Sequence, residues 1–211
     1  MSNQTLRLQA YHWLKKKLIT LEYPMGSTLV VKDLCQELGM GRTPVREAIQ
    51  QLASEGLISI LPRKGIVVSN INYLDFENLL EARMMLEVHV ARQLAGSIRL
   101  EQVEKMYSLF GNVAALIKQG DIDALLTIER QFHQGLVVML DNQYLDAMAD
   151  RIYDLVTRTW YLSFRRRSPD NLAFTLQENL VILEKLEQGD ANAAEKAVRE
   201  HILDFKNQVL H

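Results

Sequence analysis

Cysteine, proline and long apolar runs are scarce in this sequence of 211 residues, and each scarcity excludes a class of protein. A single Cys cannot form an internal disulfide, so the chain is not a disulfide-stabilised scaffold, and we expect it in a reducing cytoplasm. No run approaches the roughly 18 consecutive apolar residues that a membrane-spanning helix needs, and the amino terminus lacks the apolar segment of a secretory signal. Because there are only four Pro and ten Gly, long segments are uninterrupted, which favours helices.

Charged residues are distributed unevenly along the chain. The formal net charge is −2, but residues 1–70 hold nine basic and five acidic residues and carry +4, whereas the remainder carries −6. A basic segment joined to an acidic one is typical of a nucleic-acid module attached to a partner domain, although chance also produces a shift of this size. Hydrophobic residues make up 48% of the chain, which is enough for a sizeable core.

Residues 1–70 have the pattern of three helices followed by a β-hairpin. A second helix is predicted over about 31–38, and a third begins near Thr43 and Pro44, where Thr43 can cap the helix and Pro44 suits the first helical position. Two β-prone runs, 57–60 and 66–69, flank a basic turn and form the hairpin. The pattern predicts a winged helix-turn-helix, and residues 70–72 are expected to link it to the rest of the chain.

The third helix and the hairpin turn carry the side chains that suit DNA. Arg42 and Arg46 lie near the start of the helix and point away from its apolar face, where guanidinium groups reach guanine edges or phosphates. Taken singly, each polar residue here is better explained as a solvated surface residue, and it is their combined spacing that favours DNA. The candidate DNA-binding residues are Lys32, Arg42, Thr43, Arg46, Arg63, Lys64 and Gly65.

The remainder, residues 74–211, is predicted to be an antiparallel helical bundle of about six helices, so the fold class is mostly α. Short polar or Gly-containing breaks separate the helices, and short connections favour antiparallel neighbours. No Gly-rich phosphate loop is present, which argues against a nucleotide-binding enzyme. The expected helices are 74–96, 101–118, 122–140, 143–167, 172–188 and 190–210.

Few residues of the predicted bundle carry chemistry. Glu129 and His133 are four residues apart and project from one helical face, and His201 lies on the last helix. Two imidazoles and a carboxylate suit a divalent metal with open coordination positions. A metallohydrolase would use such a metal to activate water, but it needs a general base, and no HExxH motif is present, so we expect no enzyme. The remaining histidines, His12, His89 and His211, are interpreted as ordinary core or surface residues.

The segment Gly41–Ile49 (GRTPVREAI), with Pro62–Gly65, resembles the DNA-binding domain of GntR-type bacterial transcription regulators. The resemblance implies a winged helix-turn-helix with DNA-contacting positions at Lys32, Arg42, Thr43, Arg46 and the wing tip around Gly65. One position departs from the family, which usually has Ser or Thr where this chain has Gly41. That change removes a hydroxyl contact and keeps the backbone N–H.

Further segments, Arg83–Glu87, Glu129–His133 and Gly189–Ala191 with His201, resemble the FCD ligand-binding domain of the FadR-like branch of that family. The resemblance implies a homodimeric repressor that binds double-stranded operator DNA and is released by a small carboxylate effector. A constitutive DNA-binding dimer with a degenerate sensor domain is the alternative. Arg83 is either a clamp for the effector carboxylate or the partner of Glu87 in an ion pair.

Many FCD domains hold a metal through an Asp and three His, and two of these four positions are altered here. Glu129 stands where Asp is usual, Asn179 stands where His is expected, and His133 and His201 match. Three interpretations remain open: a metal such as zinc or nickel held by Glu129, His133 and His201 with water; a harder cation that also uses Asn179; or no metal, with the pocket binding the effector directly.

Overall fold

The computed structural model describes residues 3–210, and the chain divides into two compact units, with the boundary between Tyr73 and Leu74. His211 lies outside the described residues. The elements of the first unit are α1 (Asn3–Ile19), β1 (Thr28–Leu29), α2 (Val31–Leu38), α3 (Arg42–Ser54), β2 (Ile58–Leu61) and β3 (Gly65–Val68).

The core of the first unit forms where α3 packs against α1. Apolar residues at helical spacing give α3 one buried face, and its charged residues consequently face solvent. The hydroxyl of Tyr11 on α1 donates to the carboxylate of Glu55 at 2.8 Å, so a hydrogen bond joins α1 to the residue that follows α3. The buried residues of the two helices are Ala10, Tyr11, Leu14, Leu18, Pro44, Val45, Ala48, Ile49 and Leu52.

The start of α3 differs from the sequence prediction. Gly41, with extended backbone, is the residue before the first helical position, and no side chain caps the helix. The prediction that Thr43 caps it and Pro44 occupies its first position is therefore wrong, because the helix begins at Arg42. Pro44 is tolerated at the third position because the first N–H groups of a helix have no intrahelical partner. The exposed Thr43 hydroxyl is consequently not engaged as a cap.

The wing is a three-stranded antiparallel sheet with the strand order β1-β3-β2. The predicted hairpin is present, with Ile58 opposite Val68 and Leu61 opposite Gly65. The two-residue strand β1 was not predicted, since it is too short to show an alternating pattern. At the turn, Gly65 has φ +82° and Arg63 has φ +66°, so a non-glycine residue adopts left-handed backbone at the tip of the wing.

Within residues 3–210 the second unit contains seven helices, one more than predicted. They are α4 (Tyr73–Leu94), α5 (Leu100–Ser108), α6 (Val113–Gln119), α7 (Ile122–Val138), α8 (Gln143–Phe164), α9 (Pro169–Glu187) and α10 (Ala191–Leu210).

The extra helix arises because the predicted helix 101–118 is interrupted after Ser108. The amide groups of Leu109 and Phe110 bond to carbonyls three residues back, which tightens the last turn, and Gly111 and Asn112 are weak helix formers. The interruption lets α6 pack against α7 and α9. The break in the helix is therefore explained by Gly111 and Asn112, and the apolar spacing alone did not indicate it.

The mostly α fold class is confirmed: a winged helix-turn-helix is followed by a helical bundle. In the bundle α7 packs on α8 and α9 on α10, and the side chains of Tyr153, Trp160 and Phe164 on α8 are fully buried. Over residues 3–210, every helix is too short or too polar to span a lipid bilayer.

Candidate DNA-binding surface and buried charged cluster

Three of the predicted DNA-contacting residues lie together on the exposed side of α3. Arg42, Thr43 and Arg46 are exposed, whereas Val45 and Ile49 on the opposite side are buried. Arg42 and Arg46 are four residues apart, so their side chains share one face of the first turns of the helix. A helix that presents two guanidinium groups near its amino-terminal end has the arrangement used for contacts in the major groove.

The wing tip adds a second group of basic side chains to this surface. Arg63, Lys64 and Gly65 are exposed, and they line a groove of about 620 Å³ together with Arg46 and Gln50 of α3. The groove therefore brings Arg46 near the basic tip of the wing. Lys32 is also exposed, but on α2, and it does not line the groove.

A cluster of charged and polar side chains is buried in the second unit. Its members come from four helices: Arg83 on α4, Glu129 and His133 on α7, Asn179 on α9 and His201 on α10. Each of these side chains is at most 2% exposed. One ligand atom from each of Glu129, His133 and His201 lies within 4.8 Å of the others. The fold thus brings together the five bundle residues that the sequence predicted to bind a metal or an effector.

Each histidine of the cluster is oriented by a carboxylate. Nδ1 of His133 is 3.1 Å from Oε2 of Glu87, and Nδ1 of His201 is 3.2 Å from Oε2 of Glu178. Carboxylate partners of this kind fix which ring nitrogen carries hydrogen. Both Nε2 atoms consequently face Glu129, whose Oε1 lies 3.3 Å from His133 and 3.6 Å from His201.

Arg83 contacts both histidines. Its Nη2 is 3.1 Å from Nε2 of His133 and 3.2 Å from Nε2 of His201. Its Nε donates to Oε1 of Glu87 at 2.7 Å, so the ion pair that the sequence offered as one explanation of Arg83 is present. The guanidinium also lies over the ring of Trp160, 5.2 Å from its centroid.

Burial and neighbouring charges shift the pKa values of the cluster. Burial has the largest single effect on the pKa of Glu87 and raises it, but the charges of Arg83 and His133 and their hydrogen bonds together hold that pKa far below its usual range. For His133, burial is again the largest effect and lowers the pKa, and the contacts with Glu87 and Glu129 together make the net shift upward. Burial lowers the pKa of His201 to about 3, which leaves its imidazole neutral. Arg83 keeps its charge because Glu87 outweighs the effect of burial and raises the pKa of the guanidinium.

The spacing of Glu129, His133 and His201 could hold a divalent metal ion, but Arg83 contacts two of these three residues. Imidazoles bind such ions through a ring nitrogen lone pair, and Nη2 of Arg83 lies against Nε2 of both histidines. Asn179 donates from Nδ2 to Oε2 of Glu129 at 2.6 Å, so its amide supports the carboxylate through a donor. The residues therefore do not fit a divalent metal while Arg83 holds this position.

The space beside the cluster is small. A cavity bordered by Glu87, His133 and apolar side chains has a volume of about 10 Å³, room for a single water molecule at most. Two atoms of the cluster have no hydrogen-bond partner among the residues that the structure describes, Nη1 of Arg83 and Oδ1 of Asn179. Unsatisfied buried polar atoms are costly, which makes them candidates for contact with a ligand.

Two carboxylates of this region were not recognised as histidine partners from the sequence. Glu87 was assigned only to Arg83, on the basis of its spacing, and Glu178 was not singled out. No local pattern marks Glu178, because its contact with His201 joins two different helices. Its position next to Asn179 was the single available signal.

Comparisons with known proteins agree with the two units. Residues 6–68 match the family model described as bacterial regulatory proteins of the gntR family, and residues 78–204 match the FCD domain. The chain is 28% identical over 206 residues to the HTH-type transcriptional repressor RspR of Escherichia coli K12, which covers 98% of this chain and 90% of RspR. It is 24% identical to the HTH-type transcriptional repressor GlaR of the same strain, with 93% and 92% covered.

Among solved structures, Escherichia coli McbR/YncC superposes with a TM-score of 0.86 over 100% of this chain and 98% of that one, at 20% identity. This likeness supports the fold alone. The family matches carry the assignment of function, since GntR proteins are regulators that bind operator DNA through the first unit. The chain therefore belongs to the GntR family of DNA-binding transcription regulators, with a carboxyl-terminal FCD domain.

Proposed function

We propose that this regulator is a homodimeric repressor that binds operator DNA through α3 and the wing and is released by a small carboxylate effector bound in the second unit. The buried cluster around Arg83 is the observation that carries the effector part of the proposal. It costs free energy to bury a guanidinium, two imidazoles and two carboxylates in a helical core. Groups whose pKa values are shifted by burial and by neighbouring charges concentrate at functional sites.

The DNA part of the proposal rests on the exposed basic residues of the first unit. Two copies of α3 in successive major grooves would read the half-sites of a palindromic operator. Arg42, Thr43 and Arg46 then contact bases or phosphates, and Lys32, Arg63, Lys64 and Gly65 contact the backbone. RspR and GlaR are named as repressors, and this supports the same sign of regulation here.

The effector part follows from the two cluster atoms without partners. A carboxylate accepts hydrogen bonds from Nη1 of Arg83, and a hydroxyl on the same small molecule donates to Oδ1 of Asn179. The cavity of about 10 Å³ does not hold such a molecule, so binding has to separate helices of the bundle. A ligand that binds an opened bundle better than the closed one shifts the population, and this is what an effector requires.

A thermal-shift titration of the full-length protein with small hydroxycarboxylates tests the effector. We expect at least one compound to raise the midpoint by a few degrees, because a ligand at about 100 times its dissociation constant adds about 2.7 kcal/mol to stability. The same compound should weaken operator binding, and its carboxamide analogue is the matched control. If no compound shifts the midpoint while DNA binding is intact, the alternative of a constitutive dimer with a degenerate sensor replaces this proposal.

Replacing Arg63 with Gly separates the wing's DNA contact from its stability. Arg63 has a φ of +66°, so glycine relieves strain in the turn, and we expect the stability of the protein to stay within about 1 kcal/mol of the wild type. Operator affinity should fall. In a plot of the logarithm of affinity against the logarithm of salt concentration, the slope should become shallower by the amount expected for one lost phosphate contact. Urea denaturation and anisotropy titrations at three salt concentrations give both quantities. An unchanged slope would remove Arg63 from the DNA contacts.

A further inference from the structure

Arg83 contacts the two histidines at the ring nitrogens that also face Glu129. Its Nη2 carries two hydrogens and lies 3.1 Å and 3.2 Å from the two Nε2 atoms. The guanidinium is fully buried and held in place by Glu87 on one side and the ring of Trp160 on the other. Its position is therefore fixed by packing and by an ion pair.

Both Nε2 atoms already have a hydrogen-bond partner. Arg83 has only donors, so its hydrogen bonds to Nε2 of His133 and to Nε2 of His201 use the lone pair of each ring nitrogen. The ring hydrogen of each imidazole then lies on Nδ1, which faces Glu87 in His133 and Glu178 in His201. While these hydrogen bonds are made, neither lone pair is free for a metal.

The cluster already contains a permanent cation. Glu87 and Glu129 are two buried acidic residues, and Arg83, which forms an ion pair with Glu87, is a fixed positive charge beside them. A divalent ion would add two positive charges beside a guanidinium that cannot lose its own. Asn179 fits this arrangement because its Nδ2 donates a hydrogen bond to Oε2 of Glu129. The family resemblance implied a metal-binding histidine at this position instead.

We propose that Arg83 is the resident cation of the FCD domain in this protein and that it excludes a divalent metal from Glu129, His133 and His201. The proposal is independent of which effector binds. Arg83 lies in a segment that matches the family, and the departures from the implied metal set are at Glu129 and Asn179.

Metal binding by the full-length wild type is the first test. After dialysis against Zn²⁺ or Ni²⁺ and removal of free ions, elemental analysis should give well under one equivalent per chain, and Co²⁺ should produce no ligand-field absorption of a bound ion. About one tightly bound equivalent in the wild type would overturn the proposal. This measurement does not depend on the folding of any variant.

The variant Arg83→Met is the second test, because it frees both Nε2 atoms. We expect it to gain about one equivalent of Co²⁺ or Zn²⁺ through the three remaining ligands. Adding His133→Gln to Arg83→Met should abolish that gain. The matched control is Arg158→Met, which removes another fully buried guanidinium, and it should remain free of metal. An Arg83→Met protein that folds and binds no metal would show that Arg83 is not what excludes the ion.

Discussion

The substitution Arg46→Ala is expected to weaken binding to operator DNA by about 10- to 100-fold, the equivalent of 1–3 kcal/mol for a lost contact to a base. Arg46 is exposed on α3 and lines the groove that also contains the tip of the wing, so its guanidinium is placed where both elements would contact the duplex. Fluorescence anisotropy with a duplex selected from a random pool by the wild type measures the change.

The matched control for this experiment is Arg151→Ala. Arg151 is an exposed arginine on α8 in the second unit, so the chemical change is identical while the DNA-binding surface is intact. Its affinity should equal that of the wild type at the same salt concentration. Equal affinities for wild type and Arg46→Ala would remove α3 as the recognition helix.

The substitution Arg83→Met is expected to destabilise the second unit by about 3–5 kcal/mol, because it leaves Glu87 and Glu129 as buried charges without their cation. For a protein of this size, that corresponds to a fall in melting temperature of roughly 10 °C. The two tryptophans make the measurement selective, since Trp13 lies on α1 and Trp160 on α8. Urea titration in a Trp13→Phe background reports unfolding around Trp160.

A double-mutant cycle decides whether the lost ion pair causes this destabilisation. Adding Glu87→Leu to Arg83→Met removes one uncompensated charge, so the double variant should be more stable than the sum of the single effects predicts. Additive effects would show that Arg83 stabilises the bundle through packing on Trp160 rather than through its charge.

Spacing along single helices was enough to predict much of the fold and part of the cluster. The buried face of α3 and the shared face of Glu129 and His133 follow from residues three or four apart, which are neighbours on any helix. The break between α5 and α6 and the start of α3 depended on Gly and Asn positions, where apolar spacing says little. Those boundaries were consequently predicted wrongly, and α9 also begins at Pro169 rather than at the predicted 172.

The central position of Arg83 was beyond any sequence pattern. Its contacts to His133 and His201 join residues 50 and 118 positions apart, so they exist only once α4, α7 and α10 have packed together. The same holds for the contact of Glu178 with His201, which orients the imidazole. Most of the participating residues could be identified from the sequence, and tertiary packing determined which of them contact one another.

The ion pair of Arg83 with Glu87 has a consequence for the cell in which the protein works. A cation that is covalently part of the chain cannot be removed by a chelator, replaced by a competing ion or lost when a nutrient metal becomes scarce. Under the proposed function, the binding of an effector in the second unit would then not depend on metal supply.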